Sequence, residues 1–181
     1  MNIINYPSPN FWRANNKIRA IVLHGTSGPL TASLYTLTNP RTDNPSLAVS
    51  SNYLIDLNGD IYRFMNLWNG YRAFANGNLL KPDLGVSWIK ECKEQGINPN
   101  FVTLSIEHVA SRDAMLGHKP MTDQQFASST WLTGKLLSDN GLRASSETVV
   151  GHYQLDSVNK RFCPGVIDIP AYTQVLKDRG F

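Results

Sequence analysis

A chain of 181 residues, 41% hydrophobic and 17% charged, has enough apolar content to bury one core without disulfide staples. Its two cysteines, Cys92 and Cys163, exclude a disulfide framework and favour a reduced compartment or a metal role for one of them. The formal charge of +3 favours an anionic partner but is too mild for a nucleic-acid binder without a dense Lys/Arg stripe, and no apolar run reaches membrane-spanning length.

Residues 1–7 lack the basic and apolar regions of a secretory signal, so the chain is expected to be cytoplasmic in the cell that makes it. Residues 18–24 contain the run Ala20-Ile21-Val22-Leu23, which predicts a strand buried on both faces with His24 at its C-terminal end. Gly25-Thr26-Ser27-Gly28-Pro29 ends that strand, and residues 31–37 predict a short helix stopped before Pro40. Residues 52–57 and 60–64 flank Asn58-Gly59 and predict a hairpin with a positive-φ turn. Residues 66–100 read mainly as loop, with one helix at 87–94, and a loop of that length in a compact domain is often a binding surface.

Residues 101–110 return to strand character. Alternation places Val102, Leu104 and Ile106 on one face and Thr103, Ser105 and Glu107 on the other, so Glu107 belongs to a polar face near the strand's end. His108 then faces away from Glu107 and reads as structural, and His118 falls in a surface loop. Thr122 and Gln125 form a capping-box pattern before a helix with Phe126, Trp131, Leu132, Leu136 and Leu137 as its apolar positions, stopped by Asn140-Gly141. Residues 171–177 predict a last helix after Pro170. Strands and helices interleave without repeats or a composition break, so residues 1–181 are expected to form one α/β domain, a monomer.

Three residues carry metal-ligand chemistry: His24, His152 and Cys163. Two imidazoles and a thiolate fill three of zinc's four tetrahedral positions and leave one for water, the layout of a hydrolytic site. Each residue also has a plainer reading, as a hydrogen-bonded histidine or a buried thiol. Spacing alone leaves both readings open, because it lacks the specificity of a C-x-x-C or H-E-x-x-H motif. Cys92, in Lys90-Glu91-Cys92-Lys93-Glu94, has no ligand beside it and reads as a bystander.

The motifs taken together resemble a known family. Ile21-Val22-Leu23-His24-Gly25-Thr26, the hairpin at 50–62, Thr103-Leu104-Ser105-Ile106-Glu107, Val150-Gly151-His152-Tyr153 and Cys163-Pro164-Gly165 occur in the order found in the zinc-dependent N-acetylmuramoyl-L-alanine amidases, which include phage endolysins and the peptidoglycan recognition proteins. The resemblance spans residues 18–177. It implies a central mixed β-sheet flanked by helices, a zinc cleft at one edge, and cleavage of the amide between N-acetylmuramic acid and the L-alanine of the stem peptide.

Mapped onto this chain, the resemblance implies His24, His152 and Cys163 as Zn2+ ligands and Glu107 as the catalytic base and acid. Some relatives use a tyrosine where this chain has Ser51-Asn52, and Tyr53 is out of register with it. Many relatives carry lysine two residues before the third ligand; this chain has Arg161 there and Lys160 beside it, so either cation is a candidate for oxyanion stabilisation. Trp68, Tyr71, Phe74 and Asn76 are candidates to line a groove for sugar and peptide, with core packing equally open for the aromatics. The expected partner is peptidoglycan, with no nucleic acid and no membrane insertion. An endolysin waiting in the cytoplasm until the membrane is opened fits the missing signal, a non-catalytic peptidoglycan-binding module is the alternative, and no separate wall-binding module is expected after residue 177.

Overall fold

The computed structural model describes residues 1–67 and 70–181. Its framework is a six-stranded mixed sheet built from β1 (Ile3–Asn5), β3 (Ala20–Gly25), β4 (Tyr53–Ile55), β5 (Ile61–Arg63), β7 (Thr103–His108) and β8 (Val149–Gly151), in the order β1-β5-β4-β7-β3-β8. The neighbours are parallel except β4 and β5, which form the expected hairpin. β2 (Phe11–Arg13) and β6 (Tyr71–Ala73) make a separate antiparallel pair.

β3 and β7 lie at the heart of the sheet, and both are covered on two sides. On one face Ile21, Leu23, Leu104 and Ile106 pack in one cluster with Leu132, Leu136 and Leu137 of α4 (Asp123–Asp139) and Ile169, Tyr172 and Leu176 of α6 (Ile169–Asp178). On the other, Ala20, Val22 and Val150 pack against Trp88, Ile89 and Cys92 of α2 (Ser87–Gln95). Leu37 of α1 (Leu30–Thr38) joins Leu54 and Phe64 in a third cluster. Each fully buried aliphatic side chain contributes about 1.5–3 kcal/mol. The strands that end at the candidate site are therefore firmly anchored, as a preorganised site requires.

Several local expectations are corrected. Residues 66–100 are mainly loop with one helix, as expected, but β6 within them was not foreseen; it is three residues long and defined by pairing with a strand some sixty residues earlier, so it shows no alternation of its own. The hairpin turn is the five-residue segment 56–60, and Gly59 alone takes positive φ (86°), where a Cβ would fall 2.8 Å from the Gln124 carbonyl. Val102 precedes β7 and packs with Ala20 and Val22, on the face opposite Leu104 and Ile106. Thr122 does cap α4, accepting from the Gln125 amide, but the Gln125 side chain donates to the Ile55 and Val109 carbonyls instead of closing a capping box. That glutamine ties the helix to the ends of β4 and β7.

Candidate metal centre

The parallel register of β3 and β7 sets His24 directly beside Glu107. β8 pairs with β3 as far as Leu23 and Gly151, so His152, the next residue and the first of α5 (His152–Leu155), arrives at the same end of the sheet. Open α/β sheets bind ligands at the carboxyl ends of their parallel strands, and this site follows that rule.

Cys163 comes from the loop after α5. Asp156 shapes that loop, its carboxylate accepting from the Val158 and Asn159 amides and from the Asn159 side chain. The Cys163 carbonyl accepts from the Tyr153 amide at 2.9 Å, and the thiol sulfur accepts from the Gly25 amide at 3.4 Å, so the loop is fastened to both β3 and α5. The ligand atoms of His24, His152 and Cys163 lie within 4.8 Å of one another, and all three residues are buried.

The electrostatics of this cluster fit a cation. Burial, then the neighbouring His152, pushes the His24 ring well below its ordinary range; burial, then Lys160, pushes His152 down to about 3. Both rings are therefore neutral, the form that ligates metal. Burial, then Glu107, pushes the Cys163 thiol up to about 12, so in the protein alone it keeps its proton. A bound divalent ion reverses that preference and takes the thiolate. Two imidazoles with ring centroids 4.2 Å apart and a thiol make a donor set that suits one ion.

Glu107 Oε1 lies 3.8 Å from His24 Nδ1, while Oε2 is buried without a hydrogen-bond partner. Burial raises this carboxyl to about 7, against the pull of Lys160. A carboxyl balanced near neutrality can accept a proton and return it. The cluster lines a cleft of about 760 Å³ together with Thr36 of α1, Phe74, Arg112 and Met115 of α3 (Arg112–Leu116), and Phe162. That volume is within the range of small-ligand sites.

The other site candidates separate. Both cations are exposed, but Lys160 lines the cleft whereas the Arg161 guanidinium lies over the Phe162 ring at 4.6 Å. Phe74 lines the cleft and Tyr71 stacks on Phe11 instead. Asn76 is corrected: it is 1% exposed, with its amide nitrogen on Thr103, so it stands behind His24 and not in a groove. Trp68 lies outside the described residues. His108 faces α4, its Nδ1–H donating to the His24 carbonyl and its Nε2 accepting from the Ser129 hydroxyl, each at 2.8 Å. His118 is exposed and Cys92 is buried in the core, clustered with Ala20, Val22 and Val150 of the sheet. Arg112 and Thr36 also reach the cleft, and nothing in their local sequence marks them, because α1 and α3 meet there only through the fold.

A profile of the N-acetylmuramoyl-L-alanine amidase family matches residues 14–166. The chain belongs to that family. The amidase is thus a peptidoglycan-directed hydrolase, and the three candidate ligands and Glu107 all fall within the matched region. No curated protein matches it by sequence. Among solved structures, AmpD, as a selenomethionine derivative, superposes with a TM-score of 0.67 at 21% identity, covering 97% of this chain and 93% of that one. The endolysin and N-acetylmuramoyl-L-alanine amidase LysCS from Clostridium intestinale gives 0.65 at 15% identity, covering 97% and 94%. The endolysin of the Thermus scotoductus bacteriophage Ph2119 gives 0.61 at 17% identity, covering 96% and 97%. Identities this low carry the fold, a single α/β domain with its sheet between helices.

Proposed function

We propose that the amidase is zinc-dependent and cleaves the amide joining the lactyl group of N-acetylmuramic acid to L-alanine, with His24, His152 and Cys163 holding the ion. The observation that carries this reading is the buried His-His-Cys cluster with the Glu107 carboxyl at its side, 3.8 Å from His24 Nδ1. Zinc bound there supplies Lewis acidity toward the scissile carbonyl and makes water acidic enough to ionise near pH 7.

Glu107 accepts a proton from the attacking water as its oxygen bonds to the carbonyl carbon. The same carboxyl then hands a proton to the alanine nitrogen as the C–N bond breaks, leaving a carboxylic acid and a free amine. Lys160, on the cleft wall, offsets the negative charge that develops on the carbonyl oxygen, while Arg161 is engaged with the Phe162 ring. The complete ligand triad favours catalysis over a non-catalytic peptidoglycan-binding role.

We assign the biological setting as host lysis by a phage endolysin, supported by the endolysins among the structural neighbours. Digestion of purified sacculi with chemical labelling of new amino termini tests the reaction. New L-alanine termini support it, and termini of any other residue overturn it. Expression inside a bacterium tests the setting: lysis is expected when the membrane is permeabilised, and intact sacculi after permeabilisation contradict it.

A further inference from the structure

Among the described residues, three buried side-chain atoms at this centre lack a hydrogen-bond partner: His24 Nε2, Asn76 Oδ1 and Glu107 Oε2. A buried polar atom left unpaired costs roughly 1–3 kcal/mol, so a potential donor and an acceptor orphaned beside one another are informative. The orientation of Asn76 is fixed from behind. The Thr103 hydroxyl donates to the Pro99 carbonyl at 2.7 Å, which leaves its oxygen as an acceptor, and Asn76 Nδ2–H donates to that oxygen at 2.8 Å. The amide's other end, Oδ1, must then point away from Thr103 and can only accept.

Asn76 is held in place by more than this contact. Its own backbone amide and that of Ala75 both donate to Asn100 Oδ1, at 2.6 and 2.9 Å. The side chain bears on the His24 ring, where it opposes the loss of basicity that burial imposes. Nδ1 of that ring lies 3.8 Å from Glu107 Oε1, so the nitrogen left without a partner is the other one, Nε2.

We propose that Asn76 is a positioning residue whose Oδ1 accepts from Nε2–H of His24, fixing the tautomer that leaves the Nδ1 lone pair for the metal. The inference rests on the metal reading given above. A neutral imidazole carries one proton; were it on Nδ1, it would point at the ion and block the bond. The sequence Pro99 carbonyl, Thr103 hydroxyl, Asn76 amide and His24 ring thus forms a directional chain in which each donor is decided by the one behind it. Metal-binding histidines generally have their second nitrogen held this way, and loss of such a partner typically weakens metal affinity by about 10–100-fold.

Long-range proton–nitrogen NMR of the native protein reads the His24 tautomer without any substitution. The Nε2–H form is expected in metal-free protein and after zinc is added, with Nδ1 shifted by the ion. An Nδ1–H form, or zinc on Nε2, overturns the proposal. Chelator competition supplies the second readout: Asn76→Leu is expected to bind zinc about 10–100-fold more weakly, Asn76→Asp, which keeps an acceptor, to recover most of that loss, and Thr103→Val, which frees the amide to turn, to fall between. Native zinc affinity in folded Asn76→Leu also overturns it. A native protein that takes up no zinc defeats the metal reading, and its metal-free tautomer still decides the contact between Asn76 and His24.

Discussion

His24 and Glu107 are neighbours across two parallel central strands, and their side chains meet at 3.8 Å between Nδ1 and Oε1. One register thus sets the candidate ligand and the proposed proton carrier side by side. A one-residue slip would turn every side chain of β7 to the opposite face and replace Glu107 with an apolar neighbour or with His108. The side chains of Ser51 and Asn52 guard against that slip from the next strand: Ser51 Oγ donates to the Ser105 carbonyl at 3.1 Å and Asn52 Oδ1 accepts from the Ser105 amide at 2.8 Å.

Replacing the proton carrier separates chemistry from metal binding. Glu107→Gln keeps the shape of the side chain but holds no exchangeable carboxyl proton, so kcat is expected to fall by about 10²–10⁴. Zinc content stays at the native level. Metal analysis alongside steady-state release of amino groups checks both, and a variant with near-native kcat would remove Glu107 from the reaction.

The two candidate cations have different places and so different consequences. Lys160→Met is expected to lower kcat by about 10²-fold, the usual effect of losing one donor to a developing oxyanion, with KM nearly unchanged. Arg161→Met removes an exposed side chain that lies on Phe162, and kcat is expected to stay within about 2-fold of native because surface substitutions seldom reach a preorganised centre. The same kinetic assay on both variants decides the pair; the reverse ranking would return the role to Arg161.

Stability is expected to fall in mild acid. The buried His108 ring is pushed down to about 4, chiefly by burial. An unfolded histidine titrates near 6.5, so above that pH both states are neutral and nothing is lost. Between about 6.5 and 4 the unfolded chain binds a proton that the folded ring refuses, and stability drops with pH, by about 3 kcal/mol once pH is below 4. His24 and His152 act in the same direction in the metal-free protein. Denaturant unfolding of metal-free native protein and His108→Gln at about pH 7 and about pH 4.5 isolates the share of His108. The variant should lose roughly 2–3 kcal/mol less between the two conditions, and parallel losses would contradict this.

That His24, His152 and Cys163 belong together was legible only in part: His24 and His152 each follow an apolar run that becomes a strand of the sheet, whereas the resemblance alone joined Cys163 to them. Glu107 was placed by simple alternation along β7. The role of Asn76 was not legible, since its side chain is defined by Thr103 and Asn100, both more than twenty residues away. β2 and β6 escaped for the same reason: three residues carry no period, and only their pairing makes them strands. Gln125 shows the limit of motif reading, where a correct N-cap pattern predicted the wrong partner for a side chain that the sheet claimed. Lys160 and Arg161 are adjacent in sequence, and only the path of the loop built on Asp156 decides which one turns toward the cleft.

The most direct test of the account is a titration of zinc into chelated native protein, following release of L-alanine amino termini from purified peptidoglycan. The account predicts no release without metal, a linear rise to one zinc per chain and a plateau beyond it, with Cys163→Ser failing to reach that plateau at any stoichiometric addition. Release that persists through chelation, or that is indifferent to Cys163, would contradict a centre formed by His24, His152 and Cys163.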